Sequence, residues 1–372
     1  MTTKLVEPIR VLHVLQRMEA GGTQAFLMNL YRNIDRSKVQ FDFLVEYSEK
    51  QFYDDEIKEL GGHVYRATFR EDKNLPKFLK YLHRFFADHR EYAIVHCHAY
   101  TIGYFVLREA ERAGVTVRIA HSHNNSMSGI TKPLKIVMRS LFSVHANEFM
   151  ACSEEAGRFL FGNRDFSVVK NAIDVDRYTF DEGVRTEVRS ELGLGDSLVV
   201  GNVGRLHHQK NQLFLMDVFN EVAGITPGAR LLLVGNGPLR EQLLEKASEL
   251  GISEKITLLS DRRDMDRLYQ AMDVFVLPSL YEGLGIVAIE AQSSGLPTIC
   301  SDGVAEDANV SPLFGRMSLR DSPEAWAEAI VKAAGARDCA AGAAGARAHG
   351  FDVRDNAAKM QEWYLAEARY AR

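Results

Sequence analysis

The chain has 372 residues, of which 46% are hydrophobic and 26% are charged, and this length fits two domains better than a single core. The formal net charge of −5 argues against a dedicated nucleic-acid binder, which would normally be basic. The four cysteines contain no CxxC pair, so neither a zinc ribbon nor a disulfide framework is expected, and reduced thiols in a cytoplasm fit best. The sequence also lacks a run of about 18 apolar residues that would predict a membrane span.

Short apolar runs alternate with amphipathic helical patterns along the whole chain. The strands that these runs predict in the first half lie at residues 10–15, 41–45, 94–96, 117–120 and 149–151. Those of the second half lie at residues 198–203, 230–234, 256–259, 274–277 and 298–300. Strands that alternate with helices in this way predict parallel sheets with helices on both faces. Two such series indicate an α/β protein with two Rossmann-like domains.

The link between the two series is expected between residues 170 and 185, where the sequence is polar and lacks periodicity. We therefore predict one domain over residues 1–175 and a second over residues 176–355. Residues 356–372 form an amphipathic helical pattern that is expected to pack back toward the first domain. Its apolar side carries Ala357, Met360, Tyr364, Ala368 and Ala371.

The segment 274–300 has the pattern strand, loop, helix, loop, strand. Its loop contains Glu282, Gly283 and Gly285, and a helix that begins near Gly285 would offer unpaired N–H groups to a phosphate. Glu290 lies about one turn into that helix, so the two carboxylates can hold hydroxyl groups on either side of the phosphate. The structural alternative is that Glu is favoured at a helix start by the dipole alone and that Gly is common in such loops.

A second polar loop follows the predicted strand at residues 198–203. Gly204 and Arg205 come first, and Lys210 follows five residues later. An Arg fork and a Lys point charge beside a glycine turn match the needs of a diphosphate. The alternative interpretation is a pair of solvated cations on a surface loop.

The GRL…KN stretch and the E-x7-E segment together resemble the retaining glycosyltransferases of family 4, which have the GT-B fold. The resemblance covers nearly the whole chain and is strongest to the branch that builds bacterial capsular polysaccharides and exopolysaccharides. It is carried by VLHVLQRMEAGGTQ, NAIDVDRY, LVGNGP and DVFVLPSLYEGLG. It implies two parallel sheets facing a central cleft, with acceptor bound by residues 1–175 and nucleotide-sugar by residues 176–355.

The resemblance also implies roles for individual residues. Arg205 and Lys210 correspond to the pair that neutralises the donor diphosphate, and Glu290 to the carboxylate that holds the ribose. Glu282 corresponds to the residue that binds hydroxyls of the transferred sugar. His123 corresponds to a histidine that reaches the donor sugar across the cleft, and with Arg205, Lys210 and Glu282 it completes the catalytic set.

The remaining donor contacts that the resemblance implies involve mainly backbone groups. Glycine loops approach the phosphates, the first turn of a helix cradles the distal phosphate, and the base lies against residues 260–263. The positions are Gly21, Gly22, Gly204, Arg262, Gly283, Leu284, Gly285, Ile286 and Val287.

Two HxH pairs complicate the assignment of the histidine. His121 and His123 are two apart, as are His96 and His98, and because strand side chains alternate with period two, both members of a pair can share a face. Which of His121 and His123 faces the cleft stays open. A metal is not expected, because family 4 enzymes do not usually need one and no acidic cluster completes a site. The D-V-D sequence at residues 174–176 lies in the link, which argues against a cation site there.

Residues 129–142 predict a helix with an apolar stripe and a basic side formed by Lys132, Lys135 and Arg139. This segment is either an ordinary surface helix or a basic face that meets anionic lipid or a lipid-diphosphate acceptor. The expected location is the cytoplasm, with the inner face of the cell membrane as a possible site.

The function predicted is transfer of a hexose or N-acetylhexosamine from a nucleotide-sugar, most simply a UDP-sugar, to a lipid-linked or growing glycan. The alternatives are a nucleotide-sugar epimerase of the same fold and a non-catalytic scaffold. A nicotinamide oxidoreductase lacks support, because no G-x-G-x-x-G follows the first strand of either series.

Overall fold

The structure is a computed structural model that describes residues 7–19, 21–99, 102–123, 141–260 and 262–370. The chain forms two compact units. The first unit is Met1–Ile173 together with Asp352–Arg372, and the second unit is Asp174–Phe351. The sequence placed this division at 175/176 and the return of the chain to the first domain at residue 356.

The first unit contains a parallel sheet of seven strands in the order β3-β2-β1-β4-β5-β6-β7. The strands are β1 (Ile9–Val14), β2 (Val39–Val45), β3 (Val64–Arg66), β4 (Ile94–Cys97), β5 (Val117–Ser122), β6 (Glu148–Ala151) and β7 (Ser167–Val168). The described helices are α1 (Gly22–Asn33), α2 (Asp54–Glu59), α3 (Phe69–Asp72), α4 (Leu75–Asp88), α5 (Gly103–Arg112) and α6 (Glu154–Phe161). The last helix of the chain, α14 (Val353–Tyr370), completes this unit.

Both faces of this sheet are buried, because side chains along each strand point alternately into one of two hydrophobic cores. Val11 and Phe41 lie in the core that α1 and α14 cover, whereas Leu12 and Leu44 lie in the core that α4 and α5 cover. Successive strand residues point to opposite faces, so a strand buried on both sides is apolar at nearly every position. Tyr364 of α14 is fully buried in the first of these cores.

The second unit contains a parallel sheet of six strands in the order β10-β9-β8-β11-β12-β13. The strands are β8 (Val199–Val203), β9 (Arg230–Val234), β10 (Ile256–Leu259), β11 (Val274–Leu277), β12 (Thr298–Ser301) and β13 (Phe314–Met317). The helices are α7 (Glu182–Glu191), α8 (Gln212–Ile225), α9 (Arg240–Glu249), α10 (Met265–Ala271), α11 (Ile286–Ser293), α12 (Pro323–Ala333) and α13 (Cys339–Ala348). Short 3-10 turns lie at Val175–Tyr178, His208–Lys210, Ser253–Lys255 and Glu306–Ala308.

All ten strands predicted from the sequence are present, and the expected α/β architecture is confirmed. The predictions missed β3, β7 and β13, each of which lies at an edge of its sheet. These edge strands are mostly half-exposed or exposed, so they lack the buried apolar run on which the predictions depended. Among the described residues, no helix combines the length and hydropathy that crossing a membrane requires.

Both sheets reverse their winding direction at one point. In the first unit, successive strands are added outward from β1 on one side and from β4 on the other. In the second unit, they are added outward from β8 on one side and from β11 on the other. Ligands of doubly wound sheets bind outside the carboxyl ends of the strands at this point of reversal. The loops that follow β8 and β11 are those that carry the predicted phosphate-binding residues.

Candidate active site

The loop after β8 approaches the loop after β11 through backbone and amide hydrogen bonds. The amide N–H of Leu280 donates to the carbonyl of Gln209 at 2.8 Å. The side-chain amide of Gln209 donates to the carbonyl of Tyr281 at 2.9 Å. These bonds bring Lys210 and Glu282, 72 residues apart in the chain, to one end of the sheet.

Gly204 is required by the close approach of Lys210. Its φ of +152° is one that other residues rarely adopt, and a Cβ atom there would lie 3.2 Å from Cε of Lys210. A side chain at position 204 would therefore displace the lysine. The glycine that the sequence assigned to a phosphate contact also makes room for the cation.

Lys210 and Glu282 form an ion pair in this structure. Lys210 Nζ lies 2.5 Å from Glu282 Oε1, and the Ser279 hydroxyl donates to the same oxygen at 2.7 Å. Both charged side chains are largely shielded from solvent, with 18% and 8% of their side-chain surfaces exposed. The resemblance assigned these two residues to separate groups of the ligand, and neither their contact nor the hydrogen bond from Ser279 was predicted.

Helix α11 begins next to this pair. Gly285 precedes it with φ +76° and ψ +51°, and no side chain caps the helix N-terminus. The left-handed conformation favours glycine, and the uncapped N–H groups of the first turn are free to bind an anion. The helix therefore starts where the sequence predicted, with Gly283 and Leu284 before it and Ile286 and Val287 in its first turn.

Glu290 points to a different set of partners from Glu282. Tyr269 of α10 donates its hydroxyl to Glu290 Oε2 at 2.9 Å, and Tyr178 also hydrogen-bonds the carboxyl group. Burial raises the pKa of Glu290, while the hydrogen bonds from the two tyrosines oppose that rise. The carboxylate of Glu290 is thus held in one orientation. Neither tyrosine was identified from the sequence, because aromatic residues at such positions are typical of an ordinary core.

The two other predicted cations differ from Lys210. Arg205 is exposed, and its guanidinium has no hydrogen-bond partner that we find within the described ranges. Arg262 forms a two-pronged pair with Asp264, with Nε to Oδ1 at 2.7 Å and Nη2 to Oδ2 at 2.5 Å. Arg205 is therefore available to a ligand as it stands, whereas Arg262 would have to share or release its carboxylate.

In the first unit, Gly21 and Gly22 lie at the uncapped start of α1. Phe26 of this helix packs its ring 5.7 Å from the ring centres of both His121 and His123. His121 is fully buried, whereas His123, just after β5, is partly exposed. Of the two histidines, His123 is thus the one that a ligand can approach.

The two HxH pairs and a fifth histidine, His13 of β1, form one buried cluster. His13 pairs with His96 in the register of β1 and β4, and burial lowers the pKa of His13 and of His123 to about 3. His13 was not predicted, because in the sequence it looks like one more core position in an apolar strand. Its strand register alone places it with the others.

Ligand atoms of two histidine trios lie within 4.8 Å of one another, and the trios are His13, His96, His98 and His98, His121, His123. Neutral imidazoles are good metal ligands. However, the ring nitrogens of His98 already pair with other rings, at 3.1 Å to His13 and 2.8 Å to His123. The arrangement is therefore that of a hydrogen-bonded cluster, and a metal would have to break these bonds.

The residues Lys132, Lys135 and Arg139, which the sequence assigned to a basic face, lie outside the described residues. The same is true of Asp261 in the loop predicted to meet the base and of Ala371 on the apolar side of α14.

Two parallel, doubly wound units with polar residues at their points of reversal are the architecture of the GT-B glycosyltransferases. Solved structures agree on the fold. Anabaena HepE in complex with UDP and glucose matches with a TM-score of 0.79 and 18% identity over 96% of this chain and 100% of that one. WaaG, a glycosyltransferase involved in lipopolysaccharide biosynthesis, matches with a TM-score of 0.64 and 16% identity over 97% of both chains.

Sequence comparisons define the family. Residues 20–177 match the family described as Glycosyltransferase Family 4, and residues 197–335 match Glycosyl transferases group 1. EpsF of Bacillus subtilis (strain 168), named as a glycosyltransferase, is 36% identical over 339 residues, 88% of each chain. The chain belongs to the family 4 glycosyltransferases.

Relatives with more specific names also match. CapH of Staphylococcus aureus, named as a capsular polysaccharide biosynthesis glycosyltransferase, is 24% identical over 87% of this chain and 90% of its own length. An Escherichia coli UDP-Gal:alpha-D-GlcNAc-diphosphoundecaprenol alpha-1,3-galactosyltransferase is 29% identical over 57% of this chain and 58% of its own length. The predicted likeness to the capsule and exopolysaccharide branch is thereby confirmed.

Proposed function

We propose that the protein transfers a hexose or N-acetylhexosamine from a UDP-sugar to a lipid-linked or growing glycan, with retention at the anomeric carbon, in polysaccharide biosynthesis. The observation that carries this proposal is the convergence of Lys210, Glu282 and the uncapped N-terminus of α11 where the second sheet reverses its winding. A cation, a hydroxyl-binding carboxylate and free N–H groups are what a sugar diphosphate needs.

In the reaction we propose, the bond between the anomeric carbon and the diphosphate oxygen breaks as the acceptor oxygen bonds to the same carbon. Negative charge grows on the leaving diphosphate, and Arg205, Lys210 and the helix dipole stabilise it. Backbone N–H groups at the start of α11 bind the distal phosphate, and because the helix already holds them in place, they need not reorient during the reaction.

Membership of family 4 supports retention at the anomeric carbon, and the roles assigned to the carboxylates leave none of them to act as a protein nucleophile. A retaining glycosidase uses one carboxylate as a nucleophile, but here Glu282 binds sugar hydroxyls and Glu290 binds the ribose. The acceptor hydroxyl therefore attacks the face that the diphosphate leaves, and its proton passes to the departing phosphate oxygen. A trapped covalent glycosyl-enzyme would rule this route out.

The names of relatives support the choice of donor and acceptor. The Escherichia coli relative is named for a UDP-sugar donor and a diphosphoundecaprenol acceptor, and the HepE complexes are titled with UDP, glucose and UDP-glucose. UDP is therefore preferred to GDP as the nucleotide. An acceptor on a lipid would bring the protein to the inner face of the membrane, where Lys132, Lys135 and Arg139 would meet anionic headgroups.

We further propose that the reaction needs no metal ion, because the cations Arg205 and Lys210 supply positive charge at the diphosphate. Turnover that is unchanged after dialysis against EDTA supports this view, and loss of turnover that a divalent cation restores contradicts it.

Charge reversal at Lys132, Lys135 and Arg139 tests the proposed membrane contact, since unchanged binding to anionic vesicles would exclude it.

The function is tested in two stages. A thermal-shift screen of UDP-glucose, UDP-galactose, their N-acetyl counterparts and GDP-mannose selects the donor that binds. That donor is then incubated with a sugar-diphosphoundecaprenol extract, and the anomeric configuration of the product is read by NMR. A retained glycoside on the lipid supports the proposal. Epimerised sugar without acceptor identifies an epimerase, and binding without turnover identifies a scaffold.

A further inference from the structure

The buried histidines of the first unit form two hydrogen-bonded rows. The first row runs from His13 through His98 to His123, with Nδ1 of His13 3.1 Å from Nε2 of His98 and Nδ1 of His98 2.8 Å from Nε2 of His123. The second row runs from the Tyr364 hydroxyl through His96 to His121, at 2.7 Å and 2.9 Å. Only the first row ends on the partly exposed His123.

The rings in these rows are neutral, since burial lowers the pKa of His98 and His123 well below the ordinary value. A neutral imidazole carries one N–H and one lone pair. If His98 donates from Nδ1, then His123 must carry its proton on Nδ1, and if His123 donates from Nε2, its Nδ1 is an acceptor. The proton position on His123 is therefore coupled to His98 and, through it, to His13.

His123 keeps one ring nitrogen for a ligand. Nε2 is paired with His98, whereas Nδ1 is buried and has no hydrogen-bond partner among the described residues. A buried polar atom without a partner is uncommon and costly, and a ligand that completes its hydrogen bond removes that cost. The ring cannot turn to present Nε2 without breaking the bond to His98.

We propose that His98, anchored by His13, is a positioning residue that holds the ring of His123 and sets which atom meets the transferred sugar. This inference rests on the proposed function and on the expectation, drawn from the family resemblance, that His123 contacts the donor sugar. A ligand group that donates to Nδ1 selects one proton order along the row, and a group that accepts from Nδ1 selects the other. Both orders leave the three rings neutral, so they differ in which nitrogen of each ring carries the proton and not in charge.

The variant His98→Phe keeps the ring volume and removes the bond to His123. We expect UDP release from the selected UDP-sugar to fall roughly 10- to 100-fold in kcat, with little change in KM, since misplacing a reacting group by about 1 Å costs up to this much. His98→Asn offers an amide near the position of the lost Nδ1, so it should recover most of kcat. Tyr364→Phe removes a buried hydrogen bond from the second row and should leave kcat within about twofold, because that row does not reach His123.

The 15N NMR spectrum of the wild-type histidines tests the coupling without any variant. On saturation with the selected UDP-sugar, we expect the ring nitrogens of His123, His98 and His13 to shift together. A shift of His123 alone overturns the coupling and leaves the donor contact intact, whereas no shift at any histidine contradicts the donor contact in the proposed function. Equal kcat for His98→Phe and wild type, or stoichiometric zinc in the purified protein on these rings, also overturns the proposal.

Discussion

Replacing Lys210 by Met tests the catalytic weight assigned to the cations. The change removes the charge that lies 2.5 Å from Glu282 Oε1 and, in the proposed reaction, one of the two side-chain charges on the leaving diphosphate. Loss of one such group costs about 10²–10³ in turnover, equivalent to roughly 2.7–4 kcal/mol of transition-state stabilisation. We expect this fall in kcat, measured as UDP release at saturating donor.

The same substitution also affects stability, and the two effects must be separated. Breaking a fully buried pair costs about 3–5 kcal/mol. Here the lysine is 18% exposed and Ser279 still donates to Glu282, so we expect a loss of about 1–2 kcal/mol in the free energy of unfolding. The double variant Lys210→Met/Glu282→Gln removes the unpaired charge and should regain stability while kcat stays low.

A matched lysine in the same unit provides the control. Lys246 forms a pair with Asp217 at 2.6 Å, with 26% and 39% of the side chains exposed, and Lys246→Met should cost less than about 1 kcal/mol and leave kcat unchanged. Lys210 does not have the proposed catalytic role if Lys210→Met keeps more than about a third of wild-type kcat, or if the double variant regains activity together with stability.

Three further changes have defined expected outcomes. Tyr269→Phe removes a donor to Glu290 and should raise the Kd for UDP about three- to tenfold by calorimetry, since a typical hydrogen bond contributes roughly 1 kcal/mol; an unchanged Kd contradicts this. Gly285→Ala forces a side chain into φ +76° and should lower the free energy of unfolding by about 1–2 kcal/mol in urea titrations; a neutral result would show that the loop relaxes. Glu46 is fully buried beside Arg70, and burial raises its pKa from 4.5 to about 7. A carboxyl group with a raised pKa loses stability as pH rises between these values, so Glu46→Gln should gain up to about 3 kcal/mol relative to wild type at about pH 8 and nothing near pH 4; a pH-independent difference contradicts the assignment.

The candidate donor-site residues differ in how far local patterns reveal them. A linear pattern singles out Arg205, Lys210 and Glu282, because glycine and charge follow directly on apolar strands, and Glu290 lies in the helix that follows. The ion pair between Lys210 and Glu282 joins loops far apart in the chain, and no periodicity reports such a contact. The sequence therefore supplied candidates for the donor site and not their pairing.

The sequence also did not identify Tyr269 and Ser279, which orient the two carboxylates. Each donates one hydrogen bond to a carboxylate. Tyr269 lies in a buried stretch of α10 and Ser279 in the loop after β11, and neither residue type indicates by itself which carboxylate it contacts. A residue that orients another residue leaves no local signal, because its partner is chosen by packing.

The sequence by itself determined the class of fold, the ten strands that carry apolar runs and the family, since apolar runs of this kind are visible in any window. The tertiary structure decided the short edge strands β3, β7 and β13, which are partly or fully exposed, and the grouping of His13 with the two HxH pairs. Strand register sets that grouping: a shift of one residue would turn His13 to the other face of the sheet and break the row that ends on His123. Such long-range pairing depends on how neighbouring strands align, and that alignment is a property of the folded sheet.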